Sequence, residues 1–390
     1  MSHEVLDRVA ELAPYLAEQA DAVEQAGRIP DVTAKLLKET GVIRLLQPKR
    51  YNGYEADPRV FFEAVMTIGS HCGASGWVTG IVGVHPWELG VCDPKLQEEI
   101  WGEDPDTWVC STYMPTGRAR KVDGGWQFSG RWGFSSGCDV SEWIILGGMV
   151  VDDAGAMTNP PQYFHFFLPI ADCTIVDGTW DVVGLKGTGS KDIVVDDVFV
   201  PDHHGIDAMK IHTGSAAADV APGTIFQLPW ASIFPNAITA ATIGIAEGAL
   251  RSALAFQRSR IGVFTGGPVT DSPTVMSTIG EAAGDIDSAR AQLLRNLGEM
   301  WDLVQRREEV PMTLRARGRR DQVQGSWRST RAVDQLFDYA GGGALRLGTP
   351  LQRFWRDAHA ALHHMINVPD KSFHSFSSVA MGFEPLETMI

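Results

Sequence analysis

Hydrophobic residues recur with helical spacing through roughly the first hundred positions of the chain. Residues three and four positions apart fall on one face of a helix. Four such residues mark the first helix: Leu6, Val9, Leu12 and Leu16. Further helical segments are predicted over residues 30–41 and 59–68, and the first of these ends at a glycine, which commonly follows a helix C-terminus.

The pattern changes to that of β-strands between residues 108 and 211. Aromatic and β-branched residues form short runs bounded by glycine, as in residues 125–134 and 143–151, and such runs are typical of strands. A third run, residues 192–201, ends at a proline, which cannot donate a hydrogen bond to a sheet.

Helical spacing returns after residue 212. The longest apolar stripe starts at Pro273, a favourable first helical residue, and continues to Val304 in steps of three and four. Three more helices are predicted, over residues 235–258, 312–339 and 351–366.

This order of elements predicts an α+β fold with three domains. The predicted domains are an N-terminal helical domain (residues 1–107), a central β-barrel or β-sandwich domain (108–211) and a C-terminal four-helix bundle (212–390).

The charge and hydrophobicity of the chain argue against two classes of partner, nucleic acids and membranes. The 390 residues carry 33 Lys and Arg against 48 Asp and Glu, a formal net charge of -15, which argues against nucleic acid because a phosphate-binding surface needs positive charge. The longest near-apolar run, residues 143–151, is too short to cross a membrane, and the N-terminus lacks the apolar core of a secretory signal. We therefore expect a soluble, cytoplasmic protein without nucleic-acid or membrane partners.

No metal centre is expected. The five cysteines are scattered and never form a C-x-x-C pair, so neither a disulfide framework nor a zinc ribbon is indicated. His359, His363 and His364 fall on one predicted helix, but no H-E-x-x-H motif accompanies them. One of these histidines, turned into a pocket, would suit acid–base chemistry near neutral pH.

Two glycine-rich segments resemble known motifs only in their letters. Residues 184–191 (GLKGTGSK) precede a strand rather than the helix that a dinucleotide-binding loop opens; a tight turn that brings Thr188 or Ser190 near a ligand fits better. Residues 133–137 (GFSSG) match a serine-hydrolase elbow, but a strand-like run follows them as well. Their two hydroxyls, with Trp132 nearby, would suit a flat aromatic cofactor, and a plain core strand is the alternative.

Five segments of the chain resemble the flavin-dependent monooxygenase branch of the acyl-CoA dehydrogenase superfamily. They are residues 73–78 (GASGWV), 83–87 (GVHPW), 126–139 (WQFSGRWGFSSGCD), 184–195 (GLKGTGSKDIVV) and 354–357 (FWRD). Within this branch the chain is most similar to the oxygenase components of two-component hydroxylases that act on the secosteroid phenol 3-hydroxy-9,10-secoandrostatriene-dione.

The resemblance implies an acyl-CoA dehydrogenase-like fold and a homotetramer. It implies that the chain takes diffusible reduced flavin, FMN or FAD, from a separate NAD(P)H:flavin reductase and reacts it with O2. The resulting C4a-hydroperoxyflavin would hydroxylate a phenol ortho to its hydroxyl, best a secosteroid phenol of sterol degradation.

The same resemblance implies roles for individual residues. Ser136 matches the serine beside flavin N5, and His364 the histidine that deprotonates the phenol, although a slip of one residue would move this role to His363. The implied substrate pocket contains His85, Trp77 and Trp87. The implied cofactor-binding residues are Thr112, Trp132, Ser135, Ser136, Gly137, Arg260, Gly341 and Gly342.

The sequence also allows other functions. The same branch includes other aromatic and polyketide hydroxylases. An acyl-CoA dehydrogenase is disfavoured because its catalytic glutamate has no counterpart in residues 339–348, although Glu247 keeps that alternative open. A non-catalytic oligomeric or regulatory protein on the same scaffold is the third class.

Overall fold

A computed structural model describes residues 3–220, 223–263, 266–387 and 390. Five helices form the N-terminal part: α1 Glu4–Ala26, α2 Asp31–Thr40, α3 Pro58–His71, α4 Gly73–Leu89 and α5 Pro94–Trp101. The helices predicted over 30–41 and 59–68 are therefore confirmed as α2 and α3. The stretch of small residues after Cys72 also belongs to a helix, α4.

Helix α4 is buried along its whole length, and its small residues make this position possible. A Cβ atom on Gly76 would collide with the backbone of Gly69 on α3, so the two helices approach more closely than side chains would allow. This close crossing places α4 at the centre of the molecule, where one of its faces meets strand β1 (Val109–Val122).

Seven strands form one mixed sheet in the order β5-β6-β2-β1-β3-β4-β7. After β1 they are β2 Gly125–Ser135, β3 Trp143–Val151, β4 Tyr163–Pro169, β5 Thr174–Val176, β6 Lys191–Pro201 and β7 Gly205–Asp207. Strands β1 and β3 pair in parallel, and all other pairs are antiparallel. The predicted strands exist, but within the described residues they form a single sheet with edges at β5 and β7 rather than a closed barrel or two packed sheets.

The C-terminal part is helical. Its helices are α6 Ala208–His212, α7 Ser215–Val220, α8 Phe234–Arg258, α9 Pro273–Gln305, α10 Met312–Asp338, α11 Pro350–Leu362 and α12 Pro369–Ala380. The predicted stripe on α9 is buried from Ala282 to Val304. Helix α11 ends four residues before the predicted position 366, and α12 adds a helix to the predicted set of four.

One buried apolar cluster extends through the N-terminal helices, the sheet and the C-terminal helices. Helix α8 lies within it. The stretch Trp230–Arg258 is long and apolar enough to cross a membrane, yet 89% of its most apolar window is buried inside the protein. Its composition is therefore explained by its position as a core helix, against which α3, α4, α10 and α11 pack.

Candidate active site

The turn that follows β2 places Ser136 against the centre of the molecule. Gly137 has a φ of 78°, a conformation that other residues rarely adopt, and a Cβ atom there would lie 2.9 Å from Val78 Cγ1 on α4. The Gly137 amide donates to the Thr188 carbonyl at 3.0 Å. Ser136 is consequently held between α4 and the loop that contains Thr188.

Ser136 belongs to a chain of buried hydroxyl groups. The Trp77 indole Nε1–H donates to Ser136 Oγ at 3.1 Å, and Ser136 Oγ lies 2.7 Å from Ser190 Oγ. Ser190 Oγ lies 2.6 Å from Thr188 Oγ1, which donates to the Leu185 carbonyl at 2.8 Å. The turn over residues 184–191 therefore brings Thr188 and Ser190 together beside Ser136, and a ligand near Thr188 or Ser190 stays a prediction.

A buried carboxylate on α11 holds this loop. Leu185 has a positive φ of 53°, which a branched side chain rarely adopts without external support. Its amide donates to Asp357 Oδ1 at 2.6 Å. Asp357 is only 4% exposed, and burial raises its pKa to about 6 despite this amide and two nearby arginines. The FWRD segment thus supports the hydroxyl chain from behind.

His364 faces the same region, and His363 does not. The His364 ring lies 5.9 Å from that of Trp77 and 6.4 Å from that of Phe234. His363 is exposed and bonds to the His359 carbonyl, while His359 bonds to Asp334. The three histidines therefore point to different partners, and of the two adjacent ones only His364 packs against the Trp77 indole.

The hydrogen bonds of His364 define its tautomer. Its Nδ1 accepts from the Ile366 amide at 3.2 Å, so the neutral ring carries its proton on Nε2. Burial, followed by the charge of Arg319, lowers its pKa to about 4. At neutral pH His364 therefore presents an N–H donor.

His85 has the opposite hydrogen-bonding character to His364. This residue is fully buried, and its Nδ1 must donate because its partner is the Val109 carbonyl. Burial lowers its pKa to about 4, so the ring is neutral. Its Nε2 is then a bare acceptor, and no hydrogen-bond partner for it exists among the described residues. An unsatisfied buried acceptor of this kind is costly unless a ligand supplies the donor.

Aromatic rings connect the two histidines. Phe234 lies next to His364 and, at 5.0 Å, next to Tyr113, whose ring is 6.0 Å from that of His85. Trp230 stacks on Phe234 at 5.1 Å. A row of packed aromatic rings thus connects a donor, His364 Nε2–H, with an acceptor, His85 Nε2.

A buried hydrogen-bond network lies behind Tyr113. Glu88 accepts from Tyr113 Oη at 2.7 Å and pairs with His165 Nδ1 at 2.6 Å. Burial alone would raise the pKa of Glu88, but His165 and Tyr113 outweigh it and hold the pKa below its usual value. This network fixes the Tyr113 ring at the His85 end of the site.

Three other predicted residues are buried. Trp132 lies in the sheet core, its indole bonded to the Met114 and Gly147 carbonyls. Trp87 donates to the Ile225 carbonyl at 3.0 Å. Thr112 is buried on β1.

Three further predicted cofactor residues lie together at the ends of α8 and α10. Arg260 donates to the Tyr339 carbonyl at 2.7 Å and lies against Gly341, which Gly342 follows. Their hydrogen bonds do not connect them with Ser136.

Sequence reasoning missed several residues of the site. Asp357 was noticed only as part of a motif, and Tyr113, Phe234 and the Glu88–His165 pair were not predicted. Glutamate and histidine 77 positions apart carry no local signal of pairing. A separate cluster was also missed: the ligating atoms of Glu99, His203 and His204 lie within 4.8 Å of one another, and both imidazoles already bond to the carboxylate.

The residues present fit a flavin. A planar ring needs apolar walls and a few polar contacts at its edge, and here the apolar Trp77 and Val78 lie against Ser136 and Gly137. Ser135 Oγ is buried without a partner among the described residues. It is therefore available to a bound ligand, as is one lone pair of Ser136.

Comparison with known proteins identifies relatives of the whole chain. The family described as "Acyl-CoA dehydrogenase, C-terminal domain" matches residues 236–369. A pigment production hydroxylase of Rhodococcus erythropolis is 48% identical over 99% of this chain and 98% of its own. The flavin-dependent monooxygenase oxygenase subunit HsaA of Rhodococcus jostii is 41% identical over 99% of this chain and 100% of its own.

The fold agrees as well. The crystal structure of a 3-HSA hydroxylase from Rhodococcus sp. RHA1 superimposes with a TM-score of 0.93 and 41% identity, covering 100% of both chains. Likeness of this extent, over essentially the whole chain, is that of a common family. The chain belongs to the family of flavin-dependent monooxygenase oxygenase subunits, which have the acyl-CoA dehydrogenase-like fold.

Proposed function

We propose that this protein is the oxygenase component of a two-component monooxygenase that hydroxylates a phenol ortho to its hydroxyl group. The observation that carries the proposal is the buried Nε2 of His85, which has no partner among the described residues and which the rings of Tyr113 and Phe234 connect with His364. An acyl-CoA dehydrogenase would instead need a free carboxylate base. Glu247, the glutamate that kept this alternative open, is paired with Arg290 at 3.0 Å.

The cofactor is a reduced flavin, FMN or FAD, which supplies two electrons and activates O2 when bound. In this proposal Ser136 contacts the flavin N5 edge, and Ser135 and Gly137 complete the same turn. Trp77 and Val78 exclude water from this edge, because stray water and protons divert reduced flavin and O2 to hydrogen peroxide.

His85 accepts the phenolic proton in this proposal. Loss of the proton raises the electron density at the ortho carbon, which is the carbon that gains oxygen, and a neutral imidazole with a free lone pair is a suitable base. The family resemblance predicts His364 as the base instead. We favour His85, since Nε2 of neutral His364 already carries a hydrogen and suits hydrogen-bond donation to an oxygen.

The substrate that we propose is a secosteroid phenol of sterol degradation. Support comes from whole-chain likeness to the HsaA subunit and the 3-HSA hydroxylase. Another aromatic or polyketide hydroxylation is the alternative. We further propose a homotetramer supplied with reduced flavin by a separate NAD(P)H:flavin reductase in the cytoplasm, with the three predicted domains bounded near residues 107 and 211.

Alanine variants of the two histidines test the site. His85→Ala should lower catechol formation by about 10²- to 10⁴-fold, the usual contribution of a general base, while reduced flavin is still consumed. Part of the rate should return at high pH, where the phenol ionises in solution. His363→Ala, which changes the exposed neighbour of His364, is the matched control.

The pH profile distinguishes the two candidate bases. If His364→Ala rather than His85→Ala is rescued at high pH, His364 is the base and the tautomer reasoning fails. If neither variant reduces catechol formation, the region between the two histidines is not the substrate site.

A further inference from the structure

We infer that the hydroxyl chain of Thr188 and Ser190 makes Ser136 a hydrogen-bond acceptor, so that the site favours reduced over oxidised flavin. The inference rests on the proposed contact between Ser136 and flavin N5. It assigns a redox-selecting role to two residues that do not themselves contact the flavin in the proposed arrangement.

The direction of hydrogen-bond donation along the hydroxyl chain is set by the Leu185 carbonyl at its end. The Leu185 carbonyl can only accept, so Thr188 Oγ1 donates its single hydroxyl hydrogen to that carbonyl at 2.8 Å. Thr188 must then accept from Ser190 across 2.6 Å, and Ser190 must accept from Ser136 across 2.7 Å. The hydroxyl hydrogen of Ser136 is therefore directed away from the flavin.

The two lone pairs of Ser136 Oγ determine what else this hydroxyl can bind. One of its two lone pairs accepts the Trp77 indole N–H at 3.1 Å, which leaves one lone pair. All four side chains are buried, with exposures from 1% at Thr188 to 6% at Trp77, so water does not readily replace a missing partner.

Reduced and oxidised flavin differ at this contact. Reduced flavin carries a hydrogen on N5, which donates to the free lone pair of Ser136 and leaves every hydroxyl of the chain bonded. Oxidised flavin presents a lone pair at N5, so Ser136 must turn its hydrogen toward it. Ser190 and Thr188 then reverse, and the bond from Thr188 to Leu185 is lost.

The difference is one hydrogen bond. A net contribution of about 1 kcal/mol for such a bond corresponds to a preference of about fivefold for reduced flavin. Thr188→Val keeps the shape but removes the end of the chain, which makes both directions equally favourable. Ser190→Ala isolates Ser136 and should have the same effect.

The test measures flavin binding rather than turnover. Dissociation constants of oxidised FMN and, under anaerobic conditions, of reduced FMN are measured for each variant. We expect the ratio of the oxidised to the reduced constant to fall about fivefold in Thr188→Val and Ser190→Ala. The midpoint potential of bound FMN should fall by about 20 mV, since tenfold corresponds to 29.6 mV for two electrons.

Two controls separate this role from simple damage to the loop. Thr188→Ser keeps the hydroxyl and should retain the wild-type ratio. Ser141→Ala removes a nearby buried hydroxyl that bonds to the Gly137 carbonyl outside the chain, and it should also retain the ratio.

Two results would overturn the inference. Equal weakening of both redox states in Thr188→Val and Ser190→Ala would show a structural role only, with the flavin site itself intact. Absence of binding of either flavin to the wild-type protein would instead contradict the proposed contact with Ser136.

Discussion

Replacing Asp357 with asparagine tests whether a buried carboxylate supports the active-site loop at a cost in stability. Burial raises the pKa of Asp357 from 3.8 to about 6. One unit of pKa corresponds to 1.36 kcal/mol, so the ionised carboxylate reduces stability by about 3 kcal/mol at pH well above 6. Asparagine keeps an oxygen that can accept from the Leu185 amide, as Asp357 Oδ1 does at 2.6 Å, but carries no charge.

Proton binding determines the direction in which the stability of the wild type changes with pH. Between pH 4 and 6 the folded protein holds a proton on Asp357 that the unfolded chain has released, so the wild type loses stability as pH rises through this range. Relative to wild type, the unfolding free energy of Asp357→Asn should therefore increase by about 3 kcal/mol from pH 4 to pH 7. Taking the difference between the two proteins at each pH removes the contribution of all other titrating groups.

Urea unfolding at a series of pH values is the assay. Asp181→Asn, which changes an 89%-exposed carboxylate near the same loop, shows how much of the effect comes from losing any negative charge. A difference between Asp357→Asn and wild type that stays constant from pH 4 to 7 would refute the reasoning, because it would mean that Asp357 does not titrate differently in the folded state.

Three further predictions concern the groups around the site. Ser136→Ala should raise the hydrogen peroxide formed per reduced flavin consumed while phenol binding persists; an unchanged peroxide yield would exclude Ser136 from protecting the flavin. His165→Ala leaves the buried Glu88 without one of its two hydrogen-bond partners, so it should lower the unfolding free energy by about 1–3 kcal/mol; a loss below about 0.5 kcal/mol in urea unfolding would contradict this. Glu387→Ala removes the carboxylate that pairs with Arg319, which is 4% exposed, and should destabilise the protein by about 3–5 kcal/mol, with a lowered thermal midpoint as the check.

The sequence predicted helices well where one face is continuously apolar. Helices α8, α9 and α10 begin and end within about one residue of the predicted positions, because their periodicity is long and their first residues or neighbours are prolines. Helix α12 was not predicted, since its serine-rich sequence has weak helix propensity. Its packing against α10 stabilises it instead, and such packing has no local signature.

The candidate site was predicted only in part. Residue type and spacing singled out the segment of Ser136 and the histidines at 359, 363 and 364, and the family resemblance assigned roles to Ser136 and His364. The structure brings Ser136, Trp77 and His364 together. The direction of the hydroxyl chain and the tautomers of His85 and His364 depend on backbone carbonyls and amides distant in sequence. Periodicity and residue type alone therefore could not reveal which side chains donate and which accept.

The most direct test of the central claim is a single-turnover reaction with labelled oxygen. The purified protein is mixed anaerobically with reduced FMN, or separately reduced FAD, and the secosteroid phenol, and then with buffer containing ¹⁸O₂. We predict a catechol that contains one ¹⁸O atom in the new hydroxyl group, detected by mass spectrometry. Recovery of all the reducing equivalents as hydrogen peroxide, with no labelled catechol, would contradict the proposed function.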